Sequence, residues 1–142
     1  MKEMSEDEIV DFLMKGTRTG KITTVRKDNS PHIAPIWFVW NDGKIIFCTS
    51  TSSVKAKNIR HNPKVSFCVD DDSPPYAFVI IEGNAKFSDE QKNLLKWNTI
   101  IGGSYMGKEL ADVYGKRNST EGEVLIEILP TKTISDKDVS GW

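Results

Sequence analysis

A hydroxyl-rich segment that leads directly into a helix is the feature of the sequence most able to do chemistry. Serine or threonine occupies every position from 49 to 53, and Lys55 and Lys57 follow within about one helical turn. The backbone N–H groups at the start of a helix are free to bind an anion, while hydroxyl groups add donors and lysine adds positive charge. Together these groups could hold a phosphate monoester.

The two lysines need an explanation, because the helix dipole disfavours cations in a first turn. An anionic ligand would supply one. A serine-capped surface helix with solvated lysines accounts for the same residues without any ligand. The spacing of the residues alone leaves both interpretations open.

The other reactive side chains form no recognised catalytic arrangement. His32 and His61 are isolated, and the sequence contains no Ser-His-Asp arrangement, nucleophile elbow, Walker loop or GxGxxG loop. Cys48 and Cys68 alternate with apolar residues and lack the spacing of metal ligands, so we expect structural thiols and no metal. No catalytic residue is identified, and the hard chemistry of an enzyme with this sequence would come from a cofactor.

Composition and charge narrow the class of protein. The chain has 142 residues and a net charge of −1, which fits one domain and argues against a broad basic face for nucleic acid. No apolar run reaches the roughly 20 residues that span a bilayer, and the acidic N-terminus is unlike a signal peptide. We therefore expect one cytoplasmic domain, 1–142, with a small-molecule substrate and neither nucleic acid nor membrane as partner.

The hydrophobic pattern predicts an antiparallel β-protein. Runs rich in β-branched and aromatic residues predict strands over 22–26, 32–40, 44–49, 64–69, 76–87 and 123–129, with a hairpin turn at 41–43 and a bulge or tight bend at Gly83. From Pro130 onward we expect a polar tail that ends in Trp142. Consecutive hairpins favour a small barrel over a parallel α/β sheet.

Helices are predicted at the edges of this β-pattern. Ser5 and Glu8 match a capping box for a helix over about 5–15, and a short helix is expected over 54–61. Ser88 and Gln91 match a second capping box. That helix is expected to stop near Ile101, because Gly102 and Gly103 follow, and Ser104 is expected to cap another helix to about 117.

Seven segments of the chain, taken in order, carry a resemblance to a known family. They are PHIAPIWF at 31–38, DGKIIFCTS at 42–50, SVKAKNIRHNPKV at 53–65, PPYAFV at 74–79, EGNA at 82–85, YGKRN at 114–118 and PTK at 130–132. In these segments the chain resembles the flavin-binding split β-barrels related to pyridoxamine 5′-phosphate oxidase. It looks closest to the small subgroup that depends on the deazaflavin coenzyme F420.

The resemblance implies a six-stranded antiparallel split barrel, mainly β with flanking helices, in a homodimer with two sites for FMN or F420 at the interface. It implies that the phosphate is held by the segment that contains Thr49, Ser50, Ser53, Val54, Lys55, Lys57 and Asn58. The tricyclic ring would lie along Ala34, Pro35, Ile36 and Trp37. The partner subunit would complete the pocket, with Tyr76, Phe78 and Trp97 as further candidates.

A physical argument also favours two subunits. A barrel of this length has little interior left once its core is filled, so a tricyclic ring must lie in a surface groove that a second chain covers. Four aromatic residues are predicted to form the apolar contact patch: Trp37, Trp40, Tyr76 and Trp97.

Two departures from the family bear on the activity. Pyridoxamine phosphate oxidases carry an arginine beside the lysine of the phosphate helix, where this chain has Val54, and a C-terminal Trp and Arg motif without a counterpart in 132–142. They argue against vitamin B6 oxidation. We expect hydride transfer between F420 or FMN and a small conjugated acceptor. A flavin carrier or sensor without turnover, or a dimeric interaction protein, remains the alternative.

Overall fold

Seven strands and four α-helices make up the part of the chain that the computed structural model describes, residues 1–141. Trp142, the end of the predicted tail, lies outside the described residues. The strands are β1 Gly20–Val25, β2 Pro31–Ile36, β3 Val39–Asn41, β4 Lys44–Ser50, β5 Lys64–Asp71, β6 Ala77–Phe87 and β7 Glu123–Asp136. The α-helices are α1 Glu6–Met14, α2 Val54–His61, α3 Leu94–Met106 and α4 Ala111–Arg117, with short 3₁₀ helices at Gln91–Asn93 and Lys108–Leu110.

The strands form one antiparallel sheet in the order β2-β1-β5-β6-β7-β4-β3. The sheet curls around an inner core that includes Phe38, Phe47 and Phe67. A smaller outer cluster, centred on Trp97 and Leu125, packs α3 against the other face. This arrangement confirms the predicted antiparallel split barrel with flanking helices.

The sheet has seven strands rather than the six that were predicted. The apolar run over 32–40 contains two strands, β2 and β3, which lie at opposite edges of the sheet. Between them Phe38 turns into the core, and its N–H donates to the Tyr105 hydroxyl at 3.3 Å instead of to a neighbouring strand. The chain therefore crosses between the two sheet edges at residues 37–38.

The last strand is longer than predicted, since β7 continues through Pro130 to Asp136. A proline lacks an N–H group and is tolerated in a sheet mainly at edges and bulges. Pro130 pairs with Gly83 next to a register shift between Glu82 and Gly83, which confirms the predicted irregularity at Gly83. A side chain at Gly83 would meet the carbonyl oxygen of Leu129.

The first two helices are confirmed, including the Ser5–Glu8 capping box. The capping box at Ser88 is wrong, because the Gln91 side chain instead makes two hydrogen bonds with the main chain of Leu125, at 2.7 and 2.9 Å. The predicted helix end near Ile101 and the predicted cap at Ser104 are also wrong, because both residues lie within α3. The helix continues to Met106, since the absence of a side chain at Gly102 lets Tyr114 of α4 pack closely.

The predicted aromatic contact patch does not form. Trp97 is 6% exposed and lies in the outer cluster, while Trp40 packs against the inner core. Tyr76 is exposed, and Trp37 is half-buried next to the outer cluster. The four side chains lie in different parts of the molecule, because Trp97 belongs to α3, Trp40 to β3, and Trp37 and Tyr76 to connecting segments.

Candidate functional site

A cavity of about 320 Å³ lies beside the point where the chain crosses between the sheet edges. It brings together two segments that the sequence places 12 or more positions apart, the end of β2 and the hydroxyl-rich segment. We call it the Lys55 cavity; its lining includes Pro35, Ile36, Trp37, Thr49, Ser50 and Lys55. These are six of the predicted site residues.

The aromatic wall of the cavity is held rigidly. The Trp37 ring stacks on Tyr105 with centroids 5.1 Å apart and planes 3° from parallel, and Tyr114 lies tilted at 5.8 Å. The Tyr105 hydroxyl donates to the carbonyl oxygen of Arg18 at 2.9 Å. Burial raises the pKa of Tyr105 to about 12, so this hydroxyl stays protonated at neutral pH. The stack fixes the orientation of Trp37.

The hydroxyl-rich segment is organised by its own hydrogen bonds. Ser53 caps α2 by accepting from the N–H of Ala56 at 3.1 Å, and Thr49 donates to Ser53 at 3.0 Å. The Thr51 N–H donates to the carbonyl oxygen of Gly122 at 2.8 Å. The segment is thus anchored to the chain just before β7, with the start of α2 beside the cavity.

Lys55 supplies the positive charge of the cavity. Its amine is half-buried, and this burial lowers the lysine pKa, although the nearby Glu123 carboxylate opposes the shift. Among residues 1–141, none of the ion pairs shorter than 4.0 Å involves Lys55. A half-buried ammonium group next to hydroxyl groups and a helix N-terminus can bind an anion strongly, because little water competes for it.

Polar side chains also line the cavity. Asn98 of α3 is 2% exposed, and its amide donates to the carbonyl oxygen of Asn118 at 2.9 Å, to Ser119 at 3.1 Å and to the Cys48 thiol at 3.3 Å. Burial raises the pKa of Cys48 to about 11, so the thiol is neutral. The Cys48 sulfur lies 3.9 Å from a carboxylate oxygen of Glu123.

Sequence analysis missed Asn98, Asn118 and Glu123 as lining residues. Glu123 reaches the cavity because it pairs with Ser50 across the β4–β7 ladder, and Asn98 because α3 packs on the outer face of the sheet. Neither relationship has a local sequence signal.

Three predicted phosphate residues lie on the other face of α2. Val54, Lys57 and Asn58 line a groove of about 520 Å³, here called the basic groove, together with Arg26, Lys27, Arg60 and His61. Asn58 is buried, and its amide donates to the Thr24 hydroxyl at 2.9 Å. Asn58 therefore ties α2 to β1, and its role as a cofactor ligand stays a prediction, as does that of Lys57.

The remaining predicted residues lie near the cavity or away from it. Ala34 is half-buried on β2 beside Pro35, and Ser53 contributes through its cap. Tyr76 lines a separate depression beside α1, Phe78 is half-buried on β6, and Trp97 is buried within its own chain. Among the described lining residues of the Lys55 cavity these last three do not occur.

No helix within residues 1–141 is both long and apolar enough to cross a membrane. In the same residues, no three His, Cys, Asp or Glu side chains lie together in a way that could hold a metal ion.

The family model described as pyridoxamine 5′-phosphate oxidase matches residues 5–133. The chain belongs to this family. A structural match is the conserved hypothetical protein Rv2991 from Mycobacterium tuberculosis, with 31% identity, a TM-score of 0.81, and coverage of 94% of this chain and 85% of that one. No curated protein matches the chain.

Other solved structures of the pyridoxamine 5′-phosphate oxidase fold differ in what they bind. A protein described as F420 reductase is 25% identical over 87% of this chain and 94% of its own, with a TM-score of 0.67. The heme storage protein HutZ from Vibrio cholerae is 18% identical, with a TM-score of 0.72 over 99% of this chain and 100% of its own. At that identity only the fold is shared, so the fold alone does not define the ligand.

Proposed function

We propose that the chain is an oxidoreductase that binds FMN or F420 in the Lys55 cavity and passes hydride between this cofactor and a small conjugated acceptor. The observation that carries the proposal is the meeting of the Trp37 wall and the half-buried Lys55 amine in one cavity. Membership of the pyridoxamine 5′-phosphate oxidase family and the similarity to a protein described as F420 reductase support it.

The two groups of lining residues would bind different parts of the cofactor. Lys55, the Thr49 and Ser50 hydroxyls and the start of α2 would hold the phosphate, since they combine charge with several donors. The main chain at Pro35 and Ile36 and the Trp37 ring would support the tricyclic ring. When bound, that ring supplies the hydride chemistry. The protein groups orient it and exclude water.

The dimensions of the cavity support a homodimer with shared sites. Binding sites for small molecules span roughly 300–1,000 Å³, so about 320 Å³ in one chain is small for a phosphate, a ribityl chain and three fused rings. Apolar side chains are exposed on the edge strand β2 and on the helices beside the cavity, including Ile33, Ile100 and Val113. A second copy of the chain that packs on these residues would supply the missing wall.

A flavin carrier or sensor without turnover is the second candidate. The described lining of the cavity contains no histidine, and burial raises the pKa of the Cys48 thiol to about 11, so that thiol stays protonated near neutral pH. Such a site is sufficient for binding, whereas reduction of an acceptor also needs a source of protons. The two candidates use the same binding residues, so only turnover separates them.

The proposal is tested by titrating FMN and F420 separately into the purified protein, with light scattering over a dilution series. We expect tight binding of at least one cofactor, only in samples that contain dimer. Turnover with a reducible test acceptor then separates the enzyme from the carrier. Absence of binding by both cofactors contradicts the proposal, and tight binding in a clearly monomeric sample contradicts the shared site.

A further inference from the structure

Glu123 brings a carboxylate into the same cavity as Lys55, where only an anion-binding wall was expected. It is the first residue of β7, its Cα pairs with Ser50 of β4, and its side chain is half-buried in the cavity lining. Its backbone is fixed, because its N–H donates to the carbonyl oxygen of Thr120 at 3.2 Å. Glu123 therefore occupies a defined position in the cavity wall.

Within residues 1–141, this carboxylate has only a weak donor next to it. The Cys48 thiol lies 3.9 Å away and is neutral, and none of the ion pairs shorter than 4.0 Å includes Glu123. A thiol is a weak hydrogen-bond donor, and an ionised carboxylate can only accept. A partly buried carboxylate in this position is stabilised by a ligand that donates hydrogen bonds to it.

Lys55 and Glu123 act on each other without contact. The carboxylate opposes the effect of burial on the pKa of Lys55, although the two groups form no ion pair within 4.0 Å. Both residues line the Lys55 cavity, so a ligand in this space can contact both charges. A free phosphate ion in this space is attracted by Lys55 and repelled by Glu123. A ligand with a phosphate at one end and hydroxyl groups next to it satisfies both.

We infer that Glu123 determines the specificity of the Lys55 cavity by accepting hydrogen bonds from the hydroxyl groups of a polyol chain attached to the phosphate. The cavity then selects polyol phosphates over inorganic phosphate. This inference rests on the proposed function, in which the ribityl chain of FMN or F420 is that polyol. Glu123 would then contact the part of the cofactor that lies between the phosphate and the ring.

Two small probes test the inference without the ring. Ribitol 5-phosphate carries the polyol and the phosphate, and inorganic phosphate carries only the latter. We measure the dissociation constants of both by NMR titration of the wild-type protein, Glu123→Ala, Glu123→Gln and Lys55→Ala. The wild-type protein is expected to bind ribitol 5-phosphate at least tenfold more tightly than inorganic phosphate.

Removal of the carboxylate should change this preference rather than overall binding. In Glu123→Ala we expect the ratio of the two dissociation constants to fall to within about threefold of unity. Inorganic phosphate should bind as tightly as it does to the wild-type protein, or more tightly. Glu123→Gln, which keeps an acceptor oxygen without the charge, should retain an intermediate preference and control for packing. Lys55→Ala should weaken both probes by a similar factor.

The outcomes separate this inference from the proposed function. If the wild-type protein does not prefer ribitol 5-phosphate, or if Glu123→Ala weakens both probes equally while the protein remains folded, the inference is overturned. If the probes behave as expected but neither FMN nor F420 binds, the inference stands and the proposed function fails, since the cavity then serves another polyol phosphate.

Discussion

The two faces of helix α2 carry positive charge in different surroundings. The basic groove carries Arg26, Lys27, Lys57 and Arg60, and all of these side chains lie at the protein surface. The Lys55 cavity carries one lysine. Exposed charges are well solvated and screened by salt, whereas a half-buried charge beside fixed donors interacts strongly with an anion. Burial and organised donors distinguish the cavity from the groove.

The largest expected effect comes from removing the lysine charge in the Lys55 cavity. Lys55→Ala should weaken FMN binding by at least about 1.5 kcal/mol, because a hydrogen bond to a charged group is lost in a partly buried site. Lys57→Ala, the matched control from the basic groove, should change FMN affinity less than threefold. Isothermal titration of both folded variants measures the difference.

The same pair also tests where the longer cofactor extends. F420 continues beyond its phosphate into an anionic lactyl-glutamyl tail, for which the basic groove offers complementary charge. We therefore expect Lys57→Ala to weaken F420 binding more than FMN binding. Equal losses for Lys55→Ala and Lys57→Ala with FMN would contradict the distinction between the two faces.

Local sequence signals were sufficient for the parts of the site that are contiguous in the chain. Ser53 was predicted to open α2 and does cap it, since a serine before an amphipathic run satisfies the free N–H groups. The side of α2 on which each lysine lies was not predicted. Lys55 and Lys57 are two positions apart and hence point to different faces of a helix, but only the packing of α2 reveals which face meets the cavity.

Contacts between distant segments explain most of what sequence analysis missed. Cys48 and Asn98 are 50 positions apart, and Cys48 and Glu123 are 75 positions apart, yet all three meet in the cavity. Alternating hydrophobicity predicts a strand and its buried face without giving its neighbour. The strand order therefore had to come from the structure, as did the crossing at residues 37–38.

A second comparison concerns two buried asparagines, Asn98 in the lining of the Lys55 cavity and Asn58 in the lining of the basic groove. Asn98→Ala removes the donor to Asn118, Ser119 and Cys48 beside the cavity, and Asn58→Ala removes the donor to Thr24. Each should lower the free energy of unfolding by about 1–3 kcal/mol, because a buried acceptor loses its partner. Urea denaturation measures this loss.

The two asparagine variants should differ in binding. At temperatures where both variants are folded, Asn98→Ala should weaken cofactor binding more than Asn58→Ala, since only Asn98 lines the cavity. The opposite order would make Asn58 a cofactor ligand, as the family resemblance implied, and would move the phosphate toward the basic groove.

A smaller effect is expected from the titration of Lys55. Burial lowers its pKa below the ordinary lysine value of 10.5, and an anion binds the protonated form. Cofactor affinity should therefore be fully present below the Lys55 pKa and fall severalfold as pH rises through it. FMN titrations from about pH 7 to 10.5 test this, with Lys55→Arg as the control, because arginine keeps its charge throughout this range. A parallel fall in both proteins would assign the loss to another group.

The smallest effect is expected from the cysteines, although one of them lines the cavity. Burial raises the pKa of Cys48 to about 11, and burial together with Asp70 raises the pKa of Cys68 on β5, so neither thiol is a nucleophile at neutral pH. Replacing both with alanine should leave turnover with a test acceptor within a few-fold and reduce stability by about 1–2 kcal/mol through repacking. Turnover, cofactor occupancy and denaturation of the double variant provide the measurements. Loss of turnover with occupancy and fold intact would show that a cysteine thiol takes part in the reaction. Single variants would then locate the effect, because Cys68 lies outside the described lining of the Lys55 cavity.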